Sequence, residues 1–141
     1  MSVREEVEAK CPACGEESQT TVWRSMNVSQ DPDAKELLLA GTVNVFQCPK
    51  CRYESLLDVD FLYHDMDRKF SVQYYPYERL SDDGFLANFA VDGAPALDLP
   101  ERVPLSEQVE YLLRPHIVFE MGELVRYVAF RDRLHELASE G

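Results

Sequence analysis

The sequence lacks any long hydrophobic run. Its longest apolar stretches are only a few residues, whereas a helix that spans a bilayer needs about 20. Residues 1–6 are polar and acidic, unlike the apolar centre of a signal peptide. We therefore expect a protein that spans no membrane and works in the cytoplasm, where cysteines stay reduced.

Basic residues are also scarce. The chain has 14 Lys and Arg against 26 Asp and Glu, for a formal net charge of -12. It also has no cluster of Lys and Arg of the kind that marks a nucleic-acid patch. Because phosphate backbones attract positive surfaces, this balance disfavours nucleic-acid binding. With 141 residues, 45% of them hydrophobic, the chain fits one domain over 1–141 with its own core.

Cysteine occurs at only four positions, which form two matched Cys-Pro-x-Cys pairs on either side of residues 15–47. Two such pairs supply four thiolates, the ligand set of a tetrahedral Zn²⁺ site. A site filled by four protein ligands has no open position for substrate, so we predict one structural zinc ion. The predicted ligands are Cys11, Cys14, Cys48 and Cys51.

Two other chemistries are open to these cysteines. Iron in a rubredoxin-like shell of four thiolates is the main rival, since tetrahedral sulfur sites also hold iron; red colour would identify it. Two disulfides would be expected of an exported chain. Lys10, Lys50 and Arg52 adjoin the ligands, and we interpret them as compensation for the charge of the thiolates.

The residue that follows each cysteine pair differs. Gly15 follows the first pair and allows the chain to leave the turn at positive φ. Arg52 stands at the same place after the second pair. We therefore expect the two turns to have different exits.

Hydrophobic periodicity predicts an α+β fold. The predicted strands cover 20–28, 42–47, 57–63 and 70–74, the last two as an antiparallel hairpin. One helix is predicted over 34–40, with Asp31 as N-cap and Pro32 at its first position, and another over 122–139. We expect a zinc-ribbon-like unit that joins the cysteine turns, an antiparallel sheet that extends it, and the C-terminal helix packed on that sheet.

The segment 77–104 is rich in Pro, Asp and Gly and has weak periodicity. We predict a long flexible connection there, with short ordered pieces at 85–91. The apolar segment 109–119 is predicted as a strand, and Pro115 places that strand at a sheet edge or a bulge.

His64 and Asp65 are neighbours that could act as an acid and a base. We interpret them instead as solvated residues of the polar turn 64–69. Nearby carboxylates are interpreted as the solvated face of the hairpin in preference to a second metal site, and two further histidines have no recognisable partner. These residues are Asp58, Asp60, Asp67, His116 and His135.

Several aromatic residues could anchor a protein partner or stack on bases. They are Trp23, Tyr74, Tyr75 and Tyr77. Because core packing is the commoner fate of aromatics that alternate along a strand, we predict that these rings belong to the core.

From its two Cys-Pro-x-Cys turns onward, the sequence resembles the bacterial and archaeal CpXC family. The resemblance continues through Phe61-Leu62-Tyr63-His64-Asp65, the hairpin that ends at Pro76, and the closing stretch 114–137. It is weakest over 77–104, and Arg52 departs from the glycine that many members have there. The resemblance implies a presumed zinc-binding domain with the four cysteines as ligands, and it brings no established activity.

These observations favour a non-enzymatic module for protein interaction or regulation, in which the metal supports a surface that a protein partner recognises. Two alternatives stay open. A nucleic-acid-binding zinc ribbon would need a basic face despite the net charge of -12. An enzyme would need a site around His64 and the segment 77–104.

Overall fold

A computed structural model describes residues 2–94 and 111–140 of the chain. The strands are β1 (Val3–Lys10), β2 (Glu17–Asn27), β3 (Val45–Gln47), β4 (Glu54–Leu56), β5 (Phe61–Asp65), β6 (Phe70–Tyr74) and β7 (His116–Val118). The α-helices are α1 (Pro32–Leu39), α2 (Asp83–Leu86) and α3 (Met121–Glu140), and Tyr77–Ser81 forms a 3-10 helix. The α+β class is therefore confirmed.

Five strands form one sheet in the order β1-β2-β5-β6-β7. The β1–β2 and β5–β6 pairs are antiparallel, but β2 pairs with β5 and β6 pairs with β7 in parallel. The sheet is thus mixed and not wholly antiparallel as expected. Two parallel neighbours need a crossover connection between them. The alternation of apolar and polar residues along a strand does not indicate whether its neighbour runs parallel or antiparallel to it.

The crossover from β2 to β5 contains a second, two-stranded sheet. Strands β3 and β4 pair antiparallel, with Val45 opposite Leu56 and Gln47 opposite Glu54. The second cysteine pair lies at the tip of this small hairpin. The first pair lies at the tip of the β1–β2 hairpin, just beyond the Lys10–Glu17 pair of residues.

The C-terminal helix α3 packs on the five-stranded sheet, as predicted. Leu124 and Val128 are fully buried, together with Phe61 and Val72 of the central strands. Burial of each large apolar side chain contributes about 1.5–3 kcal/mol. The predicted range 122–139 agrees with the observed helix to within a residue at each end.

The first helix also begins as predicted. Asp31 occupies the N-cap position and Pro32 the first turn of α1, where proline needs no hydrogen-bond partner for its nitrogen. An ion pair joins α1 to α3, because Lys35 Nζ lies 2.7 Å from Asp132 Oδ1. Arg68 Nη1 approaches the same oxygen at 2.6 Å, so one carboxylate ties both helices to the β5–β6 turn.

The β5–β6 hairpin is confirmed, with Phe61 opposite Tyr74 and Asp65 opposite Phe70. Its first strand begins later than the predicted residue 57, because Leu57 N donates to the carbonyl of Asn44 instead of entering the sheet. The remaining predicted strands are recovered as β2 and, in shortened form, as β3.

Two predictions about connecting segments are partly wrong. Residues 77–86 are largely helical and not an irregular loop; Asp82 caps α2 by accepting hydrogen bonds from the N–H groups of Gly84 and Phe85. Of the predicted strand 109–119, residues 109–110 lie outside the described residues, residues 111–113 are helical, and only β7 is a strand among the described residues. Pro115 immediately precedes β7, which is an edge strand of the described sheet, as predicted. Residues 95–104 lie outside the described residues.

Within residues 2–94 and 111–140, no helix combines the length and the apolar character needed to cross a membrane. The 20-residue helix α3 is long enough, but charged residues recur along it.

Candidate metal centre

The first cysteine turn closes with two backbone hydrogen bonds. The N–H of Gly15 donates to the Cys11 carbonyl at 2.9 Å, and the N–H of Cys11 donates to the Glu16 carbonyl at 2.9 Å. Gly15 has a φ of 79°, the left-handed conformation that glycine adopts at no steric cost. The turn therefore directs both sulfurs to the same side of the hairpin tip.

The second turn repeats this pattern. The N–H of Arg52 donates to the Cys48 carbonyl at 2.9 Å, and the N–H of Cys48 donates to the Tyr53 carbonyl at 2.8 Å. Arg52 has a φ of 64°, so the expectation of a different exit is wrong. The hydrogen bonds of the turn impose the left-handed conformation even on a residue with a Cβ, for which it costs roughly 1–2 kcal/mol.

The two turns face each other and bring four sulfur atoms together. Cys11 Sγ lies 3.6 Å from Cys51 Sγ, and Cys14 Sγ lies 3.6 Å from Cys48 Sγ. All four ligand atoms lie within 4.8 Å of one another. A tetrahedral ion with metal–sulfur bonds of about 2.3 Å separates its ligands by about 3.8 Å. The four cysteines are free, not joined as disulfides, and their arrangement suggests a metal ion.

Backbone N–H groups point at two of the sulfurs. The N–H of Ala13 donates to Cys11 Sγ at 3.4 Å, and the N–H of Cys51 donates to Cys48 Sγ at 3.5 Å. The Cys51 N–H outweighs burial and lowers the pKa of Cys48 to about 6. The Tyr53 N–H favours the Cys51 thiolate, but burial and the thiols around it raise the pKa of Cys51 to about 12. Metal binding at the cluster must therefore displace protons.

The four cysteines differ in exposure. Cys11 and Cys48, the first cysteine of each turn, are each 1% exposed and pack with Phe46 in a small apolar cluster. Cys14 and Cys51 are exposed. A metal ion held here would be embedded on one side and face solvent on the other.

Three basic residues adjoin the cysteines along the chain, and compensation of the thiolate charge by them stays a prediction. Lys10, Lys50 and Arg52 are all exposed. Lys50 Nζ lies 3.9 Å from the carboxylate of Glu16 on the opposite turn, so part of its charge is directed to that contact and not to the thiolates.

Asn44 is a structural residue of the site that the sequence did not reveal. Its side-chain oxygen accepts from the backbone N–H of Trp23 at 2.7 Å, and its side-chain nitrogen donates to the Trp23 carbonyl at 3.0 Å. Its own carbonyl accepts from Leu57 N at 2.7 Å, and it is only 3% exposed. Asn44 thereby anchors the base of the second cysteine hairpin to β2. Its φ of 57° is one that asparagine tolerates well.

The interpretation of His64 and Asp65 as solvated turn residues is wrong. Both lie in β5 and are 7% and 6% exposed. His64 Nδ1 lies 3.2 Å from the hydroxyl of Tyr111, and burial lowers the pKa of His64. Asp65 accepts from the backbone N–H of Arg68 at 2.9 Å. Tyr111 is 47 residues from His64 along the chain, so no local pattern could have indicated this contact.

The other candidate residues have ordinary environments. Asp58 and Asp67 are exposed, whereas Asp60 pairs with Arg79 at 3.1 Å. His116 stacks on Tyr127 with ring centroids 3.9 Å apart. None of the three carboxylates belongs to a group of possible metal ligands among the described residues.

The aromatic candidates divide between the core and the surface. Trp23 and Tyr74 are buried, as predicted. Tyr75 is half-buried and lies edge-on to Phe85. Tyr77 is 67% exposed, so the prediction that it packs in the core is wrong.

Comparison with known proteins identifies the class to which this fold and cysteine cluster belong. The family model described as CpXC protein matches residues 9–139, which is nearly the whole chain and includes all four cysteines. The chain belongs to the CpXC family. No curated protein and no solved structure matches it.

Proposed function

We propose that the four cysteines hold one structural zinc ion, which joins the β1–β2 hairpin to the β3–β4 hairpin. The observation that carries this proposal is the convergence of four thiol sulfurs within 4.8 Å of one another. Four protein sulfurs complete a tetrahedron and leave no position for a reacting water or substrate. Zinc fits such a closed, redox-inert role, and iron is the rival metal for the same ligands.

Metal analysis of the purified full chain tests this proposal. We expect one zinc per chain and, after replacement by cobalt, the visible absorption of a tetrahedral thiolate site. The variant Cys14→Ser should lose metal affinity. Ala13→Ser places the same side chain in the same turn without removing a sulfur, and should retain the metal. Stoichiometric iron with red colour, or metal-free protein that stays folded, would contradict the proposal.

We further propose that the protein is a non-enzymatic interaction or regulatory module of the cytoplasm. A closed metal site supplies rigidity in place of catalysis. His64, the centre of the alternative enzyme hypothesis, is buried against Tyr111. Four free cysteines suit a reducing compartment, and the net charge of -12 disfavours a nucleic acid as partner.

Cross-linked pull-down from the native host tests the interaction role. We expect the wild-type chain to capture a defined protein, and the metal-deficient Cys48→Ser variant to lose it, while Ala13→Ser behaves like wild type. Capture of nucleic acid at physiological salt, or of nothing that depends on the metal, would overturn this role.

A further inference from the structure

An apolar stripe runs along the side of α3 that faces away from the sheet. Phe130, Leu134 and Leu137 are 55%, 45% and 49% exposed, while Leu124 and Val128 of the same helix are fully buried. One helix thus carries two apolar faces, and the sheet covers only one of them. Exposed apolar patches of this kind often mark interaction sites.

The stripe has the spacing of a helix–helix seam. Together with Tyr127, its residues follow one another at steps of three, four and three, the pattern that packs against a second helix. The ring of Tyr127 is fixed by stacking on His116 at 3.9 Å and lies 6.1 Å from Phe130. A shallow depression of about 430 Å³ lies beside Phe130 and Leu134, between Tyr127 and Ala138, and Leu137 is not part of its lining.

Arginines border the stripe on both sides. Arg126 and Arg133 lie one position before Tyr127 and Leu134, and Arg131 lies one position after Phe130. Arg131 is held in place, since its guanidinium lies 4.3 Å from the ring centroid of Phe70. Three of the 14 basic residues of a chain with net charge -12 therefore flank one apolar seam.

Charge decides between the two simplest occupants of this seam. In a parallel pair of α3 helices, Arg126 would face Arg131 of the second copy; in an antiparallel pair centred on the stripe, Arg131 and Arg133 would each face the same residue of the second copy. Like charges across a helix seam oppose pairing, so a second copy of this chain is disfavoured. A helix with acidic flanks would meet all three arginines favourably. Arg133 already has a weak local partner in Glu136 at 3.0 Å, but both side chains are well exposed and free to exchange it.

We propose that the stripe formed by Phe130, Leu134 and Leu137, with its flanking arginines, docks an acidic amphipathic helix of a partner protein. The partner helix inserts apolar side chains along the seam, and its Asp or Glu residues face the arginines. This inference rests on the proposed interaction role and specifies the chemistry of the partner.

Two synthetic helical peptides distinguish local recognition by the arginines from a general effect of the net charge of the protein. They share length and leucine positions, and carry either glutamate or lysine at the flanking positions. Anisotropy titrations with the full chain at about 0.15 M salt, where screening acts within about 8 Å, compare their affinities. We expect the glutamate peptide to bind about tenfold tighter, although the net charge alone would favour the lysine peptide.

Matched variants locate the binding surface. Leu134→Ala should weaken the glutamate peptide about tenfold. Leu37→Ala removes an equally exposed leucine, 48% exposed, from α1, and should leave binding unchanged. Arg126→Glu should weaken the glutamate peptide and strengthen the lysine peptide. Circular dichroism and metal content verify that each variant is folded.

Three results would reject the docking surface. They are equal binding of the two peptides, equal effects of Leu134→Ala and Leu37→Ala, and a homodimer in solution that Leu134→Ala dissociates. Rejection is distinguishable from failure of the interaction role. A metal-dependent partner whose cross-links lie away from α3 leaves that role intact, whereas loss of metal-dependent capture rejects the role without altering the peptide titrations.

Discussion

The two cysteine turns have nearly the same backbone but very different support. Each turn closes with the same pair of hydrogen bonds, and the residue after each pair adopts positive φ. The first turn caps strands of 8 and 11 residues that belong to the five-stranded sheet. The second caps strands of only 3 residues each in an isolated pair.

This difference assigns different tasks to the two hairpins. The β1–β2 hairpin has a long ladder of its own and joins the rest of the sheet where Ser25–Asn27 pair with β5, so we expect it to persist without metal. A two-stranded sheet is marginally stable by itself, so we expect the β3–β4 hairpin to depend on a metal bound at its tip and on Asn44 at its base. In the proposed site, the first turn would therefore position its two sulfurs, and a bound metal would hold the second turn against it.

Metal removal should produce the largest difference in local stability between the two hairpins. After chelation, we expect the opening free energy measured by amide hydrogen exchange to fall by about 2 kcal/mol or more over residues 45–56. The reason is that a metal at the tip would stabilise a hairpin that has no further sheet neighbours. Protection of β1 and β2 away from the tip should change much less. Equal loss in both hairpins would show that the five-stranded sheet does not support the first turn.

Loss of the second anchor should have an intermediate effect. Asn44→Ala removes two hydrogen bonds to the backbone of Trp23 and leaves buried groups unpaired, so the free energy of unfolding should fall by about 2–4 kcal/mol in denaturant titrations. Asn88→Ala is the matched control, since among the described residues that exposed amide bonds to the nearby carbonyls of Gly84 and Phe85. A comparable loss in both variants would remove Asn44 from the anchoring role.

Substitution of the residue that follows each cysteine pair should change stability least. The two substitutions should act in opposite directions. Gly15→Ala should lower stability by about 1 kcal/mol because of its φ alone, since an added Cβ would meet nothing closer than Lys10 Cε at 3.8 Å. Arg52→Gly relieves that strain but adds entropy to the unfolded chain, so it should raise stability by less than about 1 kcal/mol. Thermal unfolding of the metal-loaded variants measures both. Destabilisation by Arg52→Gly would mean that the arginine side chain contributes more than its backbone strain costs.

The cysteine cluster was predictable because each of its two turns is encoded by residues that are adjacent in the sequence. Each turn is specified by four residues, and two identical turns imply a common ligand. The helix α3 was predictable for the same reason, since its apolar spacing extends over 20 residues. The second apolar stripe of α3 was hidden within the same pattern, because Phe130 and Leu134 fit a helical period whether they face the sheet or solvent.

Three other features depend on partners that the sequence does not place. Strand β1 carries mostly charged residues and is exposed along most of its length, so it lacks the apolar alternation by which strands are recognised. The burial of His64 depends on Tyr111, and the role of Asn44 depends on Trp23. Such hydrogen bonds join residues that lie 21 and 47 positions apart, so they become visible only once the tertiary fold is known.

The parallel pairing of β2 with β5 also bears on how quickly the chain reaches its native state. The segment 28–60, which contains the second cysteine turn, must be looped out before these strands can meet. Closing a loop costs entropy that grows with its length, and a cation that bridged the two turns would shorten the path between these strands by holding the second turn beside the first. An ion bound there would thus act on the rate of assembly as well as on the finished architecture, and we expect the chain to form the β2–β5 pair more slowly without it.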